Sequence, residues 1–290
     1  MRWLLPLLAL LCAATATACG RRTHDVPDAF RWEEEVAPGT TIHLRTLSGG
    51  IEVTPAVGRS ARVAGSTHWV GRQDPVHFAW TREGSDIYVC ALWTKRADCT
   101  EDSDGFARSG HSWLDMFSLF KRRPTNVVAS LRLALPAGVK VDARATNGTI
   151  TLHGATAGIT AHALNGSINI ANSSGPVEAK GTNANISVAL DSLKPDDHVL
   201  LETVNGNMTA SLPSSLDGDV ELSTVNGRVR SDFPIRIYGD ESRHKLHGQI
   251  GKSSREVLLR TVNGNVSLLK QPTMPPSEAA PAASVPRARS

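Results

Sequence analysis

The chain has 290 residues, a formal net charge of +3 and a sequence pI near 8.8. That basic excess is too small to predict nucleic-acid binding, and the length allows one large domain or two small ones. Aromatic residues make up only 5% of the sequence, which favours a thin core of small and branched side chains over a thick globular core.

The N-terminus is typical of an export signal, and residues 1–18 are predicted to be a signal peptide. Arg2 supplies a positive charge, and the apolar stretch at residues 4–11 is too short to span a membrane. The following sequence Ala-Thr-Ala-Cys-Gly is similar to a bacterial lipobox, which makes Cys19 the candidate lipidated residue. A lipobox usually has leucine where Ala16 stands, so simple secretion is the alternative. Residues 19–35 are then predicted to be a linker.

Two cysteines, Cys90 and Cys99, lie in the part of the chain that is expected to fold. An exported protein can oxidise such a pair, so a disulfide between them is predicted. A charged insert follows at about residues 95–124. Within it, a helix from Ser112 would group Trp113, Met116, Phe117 and Phe120 on one face. We expect this face to cover an open end of the fold; an amphipathic foot on an anionic membrane is the alternative.

From residue 147 onward, an Asn-Gly pair or a close variant recurs every 16 to 22 residues. The pairs begin at Asn147, Asn165, Asn183, Asn205, Asn226, His247 and Asn263. The residue three positions later is always apolar, and the residue before that one is always polar. Such alternation predicts strands, and a repeat of about 20 residues predicts stacked coils. The sequence therefore predicts an all-β fold over residues 36–269: a β-solenoid of two-strand coils, similar to a right-handed β-helix, with a short helical or loop insert.

Three of these pairs belong to identical Thr-Val-Asn-Gly sequences at residues 203–206, 224–227 and 261–264. Strict alternation places their Thr and Asn inward and their Val outward. We therefore predict that the six asparagines form a buried structural ladder whose amides satisfy backbone groups at the coil corners. The outward residues are predicted to form an exposed apolar stripe, which is a candidate interface for a partner or for self-association. The alternative is that they only favour the strand conformation, or that the segment from Trp113 to Phe120 covers them. The stripe residues are Val204, Val225, Leu246 and Val262.

Three phrases near the C-terminus, at residues 227–235, 245–251 and 259–266, follow one another in a specific order. Together they resemble the C-terminal signature of the bacterial "putative adhesin" family of exported β-solenoid proteins. The resemblance covers roughly residues 41–269 and is broken by the insert. It implies a β-solenoid at the cell envelope, and it implies no established activity or catalytic residue.

The residues themselves favour a protein that is not an enzyme and has no cofactor or metal. The acids Glu178, Asp191 and Glu202 are scattered, whereas a glycoside hydrolase needs two acids that face one bond. We therefore predict a lipoprotein anchored to a membrane of the cell envelope, facing the periplasm or the outer surface. It would act as a binding or scaffold module for an envelope protein or polysaccharide. A polysaccharide-active enzyme on the same fold and a passive structural spacer are the alternatives. Residues 270–290 are expected to be a disordered tail.

Overall fold

The computed structural model describes residues 23–71, 76–93, 98–100, 126–238 and 242–271. The predicted signal peptide and Cys19 lie outside these ranges, as do the tail from residue 272 and most of the insert, including the predicted helix. Every helix or strand assigned within the described ranges is a β-strand.

Nineteen strands occur in this described part of the chain. They are β1 (Thr23–Glu35), β2 (Thr41–Ser48), β3 (Ile51–Pro55), β4 (Ser60–Val70), β5 (His77–Glu83), β6 (Asp86–Leu92), β7 (Val127–Leu135), β8 (Lys140–Asn147), β9 (Ile150–His153), β10 (Ile159–Ser174), β11 (Val177–Ser192), β12 (Val199–Asn205), β13 (Met208–Leu212), β14 (Gly218–Asn226), β15 (Val229–Ser231), β16 (Arg236–Ile237), β17 (Lys245–Ile250), β18 (Glu256–Asn263) and β19 (Val266–Lys270).

A typical coil consists of one strand before a corner and one strand after it, as in β8 and β9, while β10 and β11 each run through the corner. The strands pair in two rows. The first row has the order β5, β6, β2, β8, β10, β11, β12, β18, β14, β17, β16. The second row has the order β1, β4, β7, β3, β9, β10, β11, β13, β19, β15. Stacked parallel coils of this kind confirm the predicted β-solenoid.

The apolar position after each corner forms a continuous column inside the solenoid. Its members pair in parallel register in the order Ile51, Ile150, Ile168, Ile186, Met208, Val266, Val229. All but Val229 are buried, and Val229 packs against the same core. A shift of the register by one residue would turn the whole column outward. Such a shift is costly, because burying one aliphatic side chain contributes about 1.5–3 kcal/mol to stability.

The order of the coils departs from the order of the chain at the C-terminal end. Strands β18 and β19 insert between the coil β12–β13 and the coil β14–β15, and pair in parallel with both. Strand β17 instead runs antiparallel to β14, on the outer side of that coil. The expectation that His247–Gly248 forms another corner is therefore wrong. Ile250 is buried at the end of β17 and does not belong to the apolar column.

A similar exchange of order occurs at the N-terminal end, where β7 lies between β3 and β4 and β6 lies outside β2. The predicted linker differs from the structure here, because residues 23–35 form β1, which pairs antiparallel with β4. The reason lies in two aromatic pairs. Phe30 stacks on Phe78 with ring centroids 5.7 Å apart, and Trp32 lies 5.9 Å from Trp80. The few aromatic residues thus close this end of the core.

Candidate functional site

The outward side of the first row carries the asparagines of the repeat, and we call this surface the ladder face. Its most regular feature is a line of hydrogen-bonded asparagine amides near the corner. The stacking order is Asn147, Asn165, Asn183, Asn205, Asn263, Asn226, and each Nδ2 donates to the Oδ1 of its neighbour nearer Asn147 at 2.7–2.9 Å.

These amides lie on the surface, which corrects the prediction that they point inward. In β12 the pattern around the corner is Thr203 buried, then Val204 and Asn205 both exposed. Strict alternation ends there because the chain turns at the corner, so two successive side chains face outward. The asparagine ladder is present, but it lies on the surface of the solenoid and not in its interior.

The corner carbonyl groups are satisfied by the buried threonines of the same repeat. Oγ1 of Thr203 donates to the carbonyl of Ala184 at 3.0 Å, and Oγ1 of Thr224 donates to the carbonyl of Gly264 at 2.8 Å. Thr261 donates to the carbonyl of Gly206 at 3.2 Å. In each case the threonine hydroxyl of one coil donates to a backbone carbonyl of the neighbouring coil. The sequence predicts this role for the asparagine amides, and the structure gives it to threonine.

Glycine ends the repeat because the neighbouring backbone leaves no room for a side chain. Gly264 has a φ of +153°, and a Cβ built there would lie 2.0 Å from the carbonyl oxygen of Gly206. Gly206 has a φ of +158° and would place a Cβ 2.0 Å from the carbonyl oxygen of Ala184. Both the conformation and the close approach therefore require glycine.

A second line of asparagine side chains lies just past the corner, and sequence reasoning missed its role. Oδ1 of Asn185 accepts the backbone N–H of Asn207 at 2.9 Å, and Oδ1 of Asn207 accepts that of Asn265 at 2.8 Å. Oδ1 of Asn265 accepts the backbone N–H of Arg228 at 3.0 Å. Each of these three asparagines follows a ladder asparagine by two residues, which was the available signal.

An apolar stripe runs beside the ladder, with Val204, Val262 and Val225 on successive strands. Their exposed fractions are 42%, 38% and 63%, and Leu164 in β10 is 46% exposed at the equivalent position. Leu246 does not belong to the stripe. It pairs with Leu222 in the antiparallel strand β17 and packs against the core, because β17 reverses the direction of the chain.

A column of basic side chains lies on the neighbouring coils of the ladder face, two residues before the position that the stripe valines occupy in their own strands. Arg45, Arg144, His162 and Lys180 occupy equivalent positions on β2, β8, β10 and β11. They line a groove of about 310 Å³ together with Thr146, Leu164 and Thr182, while residues 145, 163 and 181 also contribute. We call it the basic groove.

One end of the basic groove is fixed by a buried charge cluster. The Arg45 guanidinium is almost fully buried, and its Nη2 donates to Oδ2 of Asp142 at 2.6 Å. Nδ1 of His43 lies 2.9 Å from the same oxygen, and the His43 ring stacks on Tyr88 with centroids 4.2 Å apart. Nη2 of Arg144 reaches Oδ2 of Asp142 at 3.2 Å. Arg45 and Arg144 therefore both form an ion pair with the Asp142 carboxylate.

Burial alone would raise the pKa of Asp142, but the hydrogen bond with His43 and the charge of Arg45 outweigh it and lower the pKa well below its usual range. Burial also lowers the pKa of His162, and the nearby Arg144 charge lowers it further. The imidazole of His162 is therefore neutral near pH 7. The fixed positive charge inside the basic groove rests on its arginines and on Lys180.

Cys90 and Cys99 lie beside this cluster and are joined by a disulfide with a Cα–Cα distance of 5.6 Å. Both residues are buried, and Cys90 is the register partner of Arg45. The bridge therefore ties the start of the insert to the strand next to the buried charges.

The described part of the chain shows neither a metal cluster nor a membrane-spanning helix. It contains no group of three or more His, Cys, Asp or Glu residues placed to hold a metal ion. It also contains no helix with the length and apolar character that a membrane span requires.

The comparison with protein families finds a match for the coils that contain the ladder asparagines. The model of the family "Toastrack DUF4097" matches residues 137–269, from β8 to β19. Residues 137–269 are therefore similar to a Toastrack domain. The match agrees with the resemblance in the C-terminal phrases, and its family is a domain of unknown function. Strands β1 to β7 precede the matched Toastrack region.

One solved structure is similar over 85% of this chain and all of its own: a putative cell adhesion protein from Clostridium sporogenes ATCC 15579. The identity is 14% and the TM-score is 0.41. No curated protein matches the chain with significance.

Proposed function

We propose that this protein is a non-enzymatic binding module of the bacterial cell envelope that engages its partner through the ladder face. The partner is an envelope protein or polysaccharide. Lipidation of Cys19 would hold the module at the membrane, with the linked Toastrack coils projecting from it. A passive spacer would not need a patterned surface, and the ladder face is patterned along six coils.

The observation that carries this proposal is the exposed stripe of Val204, Val262 and Val225 beside the ladder. Exposed valines side by side on a rigid sheet are an apolar surface without a partner in the described residues, and such a surface more often marks a contact than an accident. The hydrogen-bonded amides next to them fix the surface in one shape, so a partner would lose little binding energy in ordering it.

The test replaces Val204, Val225 and Val262 together by Thr, which keeps the β-propensity and removes apolar surface. We expect the variant to fold with an unchanged circular dichroism spectrum and to lose either capture of its partner from envelope extract or self-association in sedimentation velocity. Val128→Thr is the matched control, because Val128 is a 40% exposed valine of a strand in the second row. Unchanged capture and assembly in the triple variant would rule out the stripe as an interface.

Membrane anchoring has its own test. Labelled palmitate should be incorporated into the wild type, and Cys19→Ser should move the protein from the membrane fraction to the soluble fraction, since two-chain anchoring is stable. A wild-type protein that is already soluble would show that the chain is secreted without an anchor.

A further inference from the structure

The basic groove has the size and the lining of a small-ligand site. Its volume of about 310 Å³ lies at the lower end of the range for such sites. One wall carries Arg144, His162 and Lys180, and the other carries Thr146, Leu164 and Thr182. The basic side chains thus lie opposite two threonine hydroxyl groups and one leucine side chain, and residues 145, 163 and 181 lie between the two sets.

The permanent charges of the groove are regularly spaced. Arg144 and Lys180 lie on β8 and β11, with β10 between them, so their Cα atoms are about 10 Å apart, twice the spacing of neighbouring strands. Both side chains reach solvent, with exposed fractions of 36% and 44%. A linear polymer that crosses the strands can place two of its acidic groups on these two cations.

Protein carboxylates limit which anion can bind there. Arg144 already contacts Asp142, and Lys180 lies 2.6 Å from Glu178 and 3.8 Å from Glu202. The positive charge is therefore partly neutralised, which disfavours polyphosphate and nucleic acids, because their binding depends mainly on uncompensated cations. A polymer whose carboxylates alternate with many hydroxyl groups is better matched, since the same protein carboxylates can accept hydrogen bonds from those hydroxyl groups, which polyphosphate lacks.

We propose that the basic groove binds an acidic polysaccharide through its uronate carboxylates. Arg144 and Lys180 would each donate to one carboxylate, Thr146 and Thr182 would bind sugar hydroxyls, and Leu164 would pack against the apolar side of a sugar ring. This inference rests on the proposed function and names the class of ligand for the same ladder face.

The test measures binding of polygalacturonate to the mature chain by isothermal titration calorimetry. Arg144→Gln and Lys180→Gln keep hydrogen-bonding capacity and remove one charge each, and each is expected to weaken binding by about tenfold or more, the effect of losing one charge-assisted hydrogen bond. Arg132→Gln is the matched control, because Arg132 is exposed on the second row and also contacts a carboxylate, Glu52 at 3.7 Å. It should bind like the wild type.

Three outcomes would overturn the assignment: no binding of polygalacturonate, an equal loss in Arg132→Gln, or tighter binding of polyphosphate or of anionic lipid vesicles than of polygalacturonate. Neutral dextran should not compete. Thermal melts would check that Lys180→Gln folds even if Arg144→Gln does not, because Lys180 is partly exposed and forms its ion pairs with Glu178 and Glu202, outside the buried cluster.

Failure of this inference is distinguishable from failure of the proposed function. The triple valine variant leaves Arg144 and Lys180 intact, so it should still bind polygalacturonate. Loss of envelope capture in the valine variant, together with no polygalacturonate binding in the wild type, would retain the ladder face as an interface and reject the groove as a uronate site.

Discussion

Replacing Thr261 by Val should destabilise the protein more than replacing Asn263 by Ala, two residues further along the same repeat. The Thr261 side chain is 1% exposed, and its hydroxyl donates to the carbonyl of Gly206 at 3.2 Å. Valine keeps the shape but leaves a buried acceptor without this donor, which costs about 1–3 kcal/mol. Asn263 makes two amide contacts, at 2.7 Å and 2.8 Å, but both lie on the surface, where water replaces them. Their joint loss should cost about 1 kcal/mol.

The assay is a urea titration followed by far-UV circular dichroism, with the midpoints compared at an unchanged slope. For Thr261→Val, a loss of about 2 kcal/mol corresponds to a fall in Tm of about 4–8 °C for a domain of this size. For Asn263→Ala, the fall should be about half as large. A loss at Asn263 equal to or greater than the loss at Thr261 would refute the reasoning, because it would mean that the asparagine amides carry the buried hydrogen bonds.

Three further predictions concern a corner glycine, the buried charge cluster and the disulfide. Gly264→Ala should cost about 3 kcal/mol or more in the same titration, because the new methyl group meets the backbone of the neighbouring coil; a neutral result would contradict the corner geometry. Asp142→Asn should cost about 3–5 kcal/mol because it leaves the buried charge of Arg45 uncompensated. Since the folded state lowers the pKa of Asp142, its contribution is present above the ordinary pKa of Asp and is lost as the pH falls further, so the Asn variant should show a weaker loss of stability in acid. Replacing Cys90 and Cys99 together by Ser should cost about 2.5 kcal/mol, because the bridge closes a short loop; dithiothreitol should have the same effect on the wild type and none on the variant.

The coil architecture was predictable because each coil repeats the same physical requirement. An apolar residue three positions after each corner asparagine must face the core, and the column from Ile51 to Val266 satisfies this requirement in register. The match of the Toastrack family to residues 137–269 agrees with the order of the three C-terminal phrases.

The remaining features depend on how the chain bends at the corners and on the order in which the coils stack, and the repeat spacing of the sequence specifies neither. Alternation placed Asn205 on the side of Thr203, and only the bend at the corner turns it outward. The sequence order suggested that residues 245–250 stack as another coil, but β17 runs antiparallel to β14 on its outer side, and β18 and β19 insert on the other side of β14 and β15. The basic groove was also missed, because its residues lie on β2, β8, β10 and β11 and become neighbours only when the coils stack.

The continuous ladder face exists only if the C-terminal coil lies between two earlier coils, and pairwise cysteine crosslinking tests this order. Val204→Cys with Val262→Cys, and Val262→Cys with Val225→Cys, place two cysteines on neighbouring strands about 4.8 Å apart, within reach of a disulfide. Val204→Cys with Val225→Cys places them two strands apart, at about 10 Å, which is too far. After mild oxidation, non-reducing peptide mass spectrometry should find crosslinks in the first two variants and none in the third. A crosslink in the third variant, with none in the first, would contradict the inserted coil and the surface built on it.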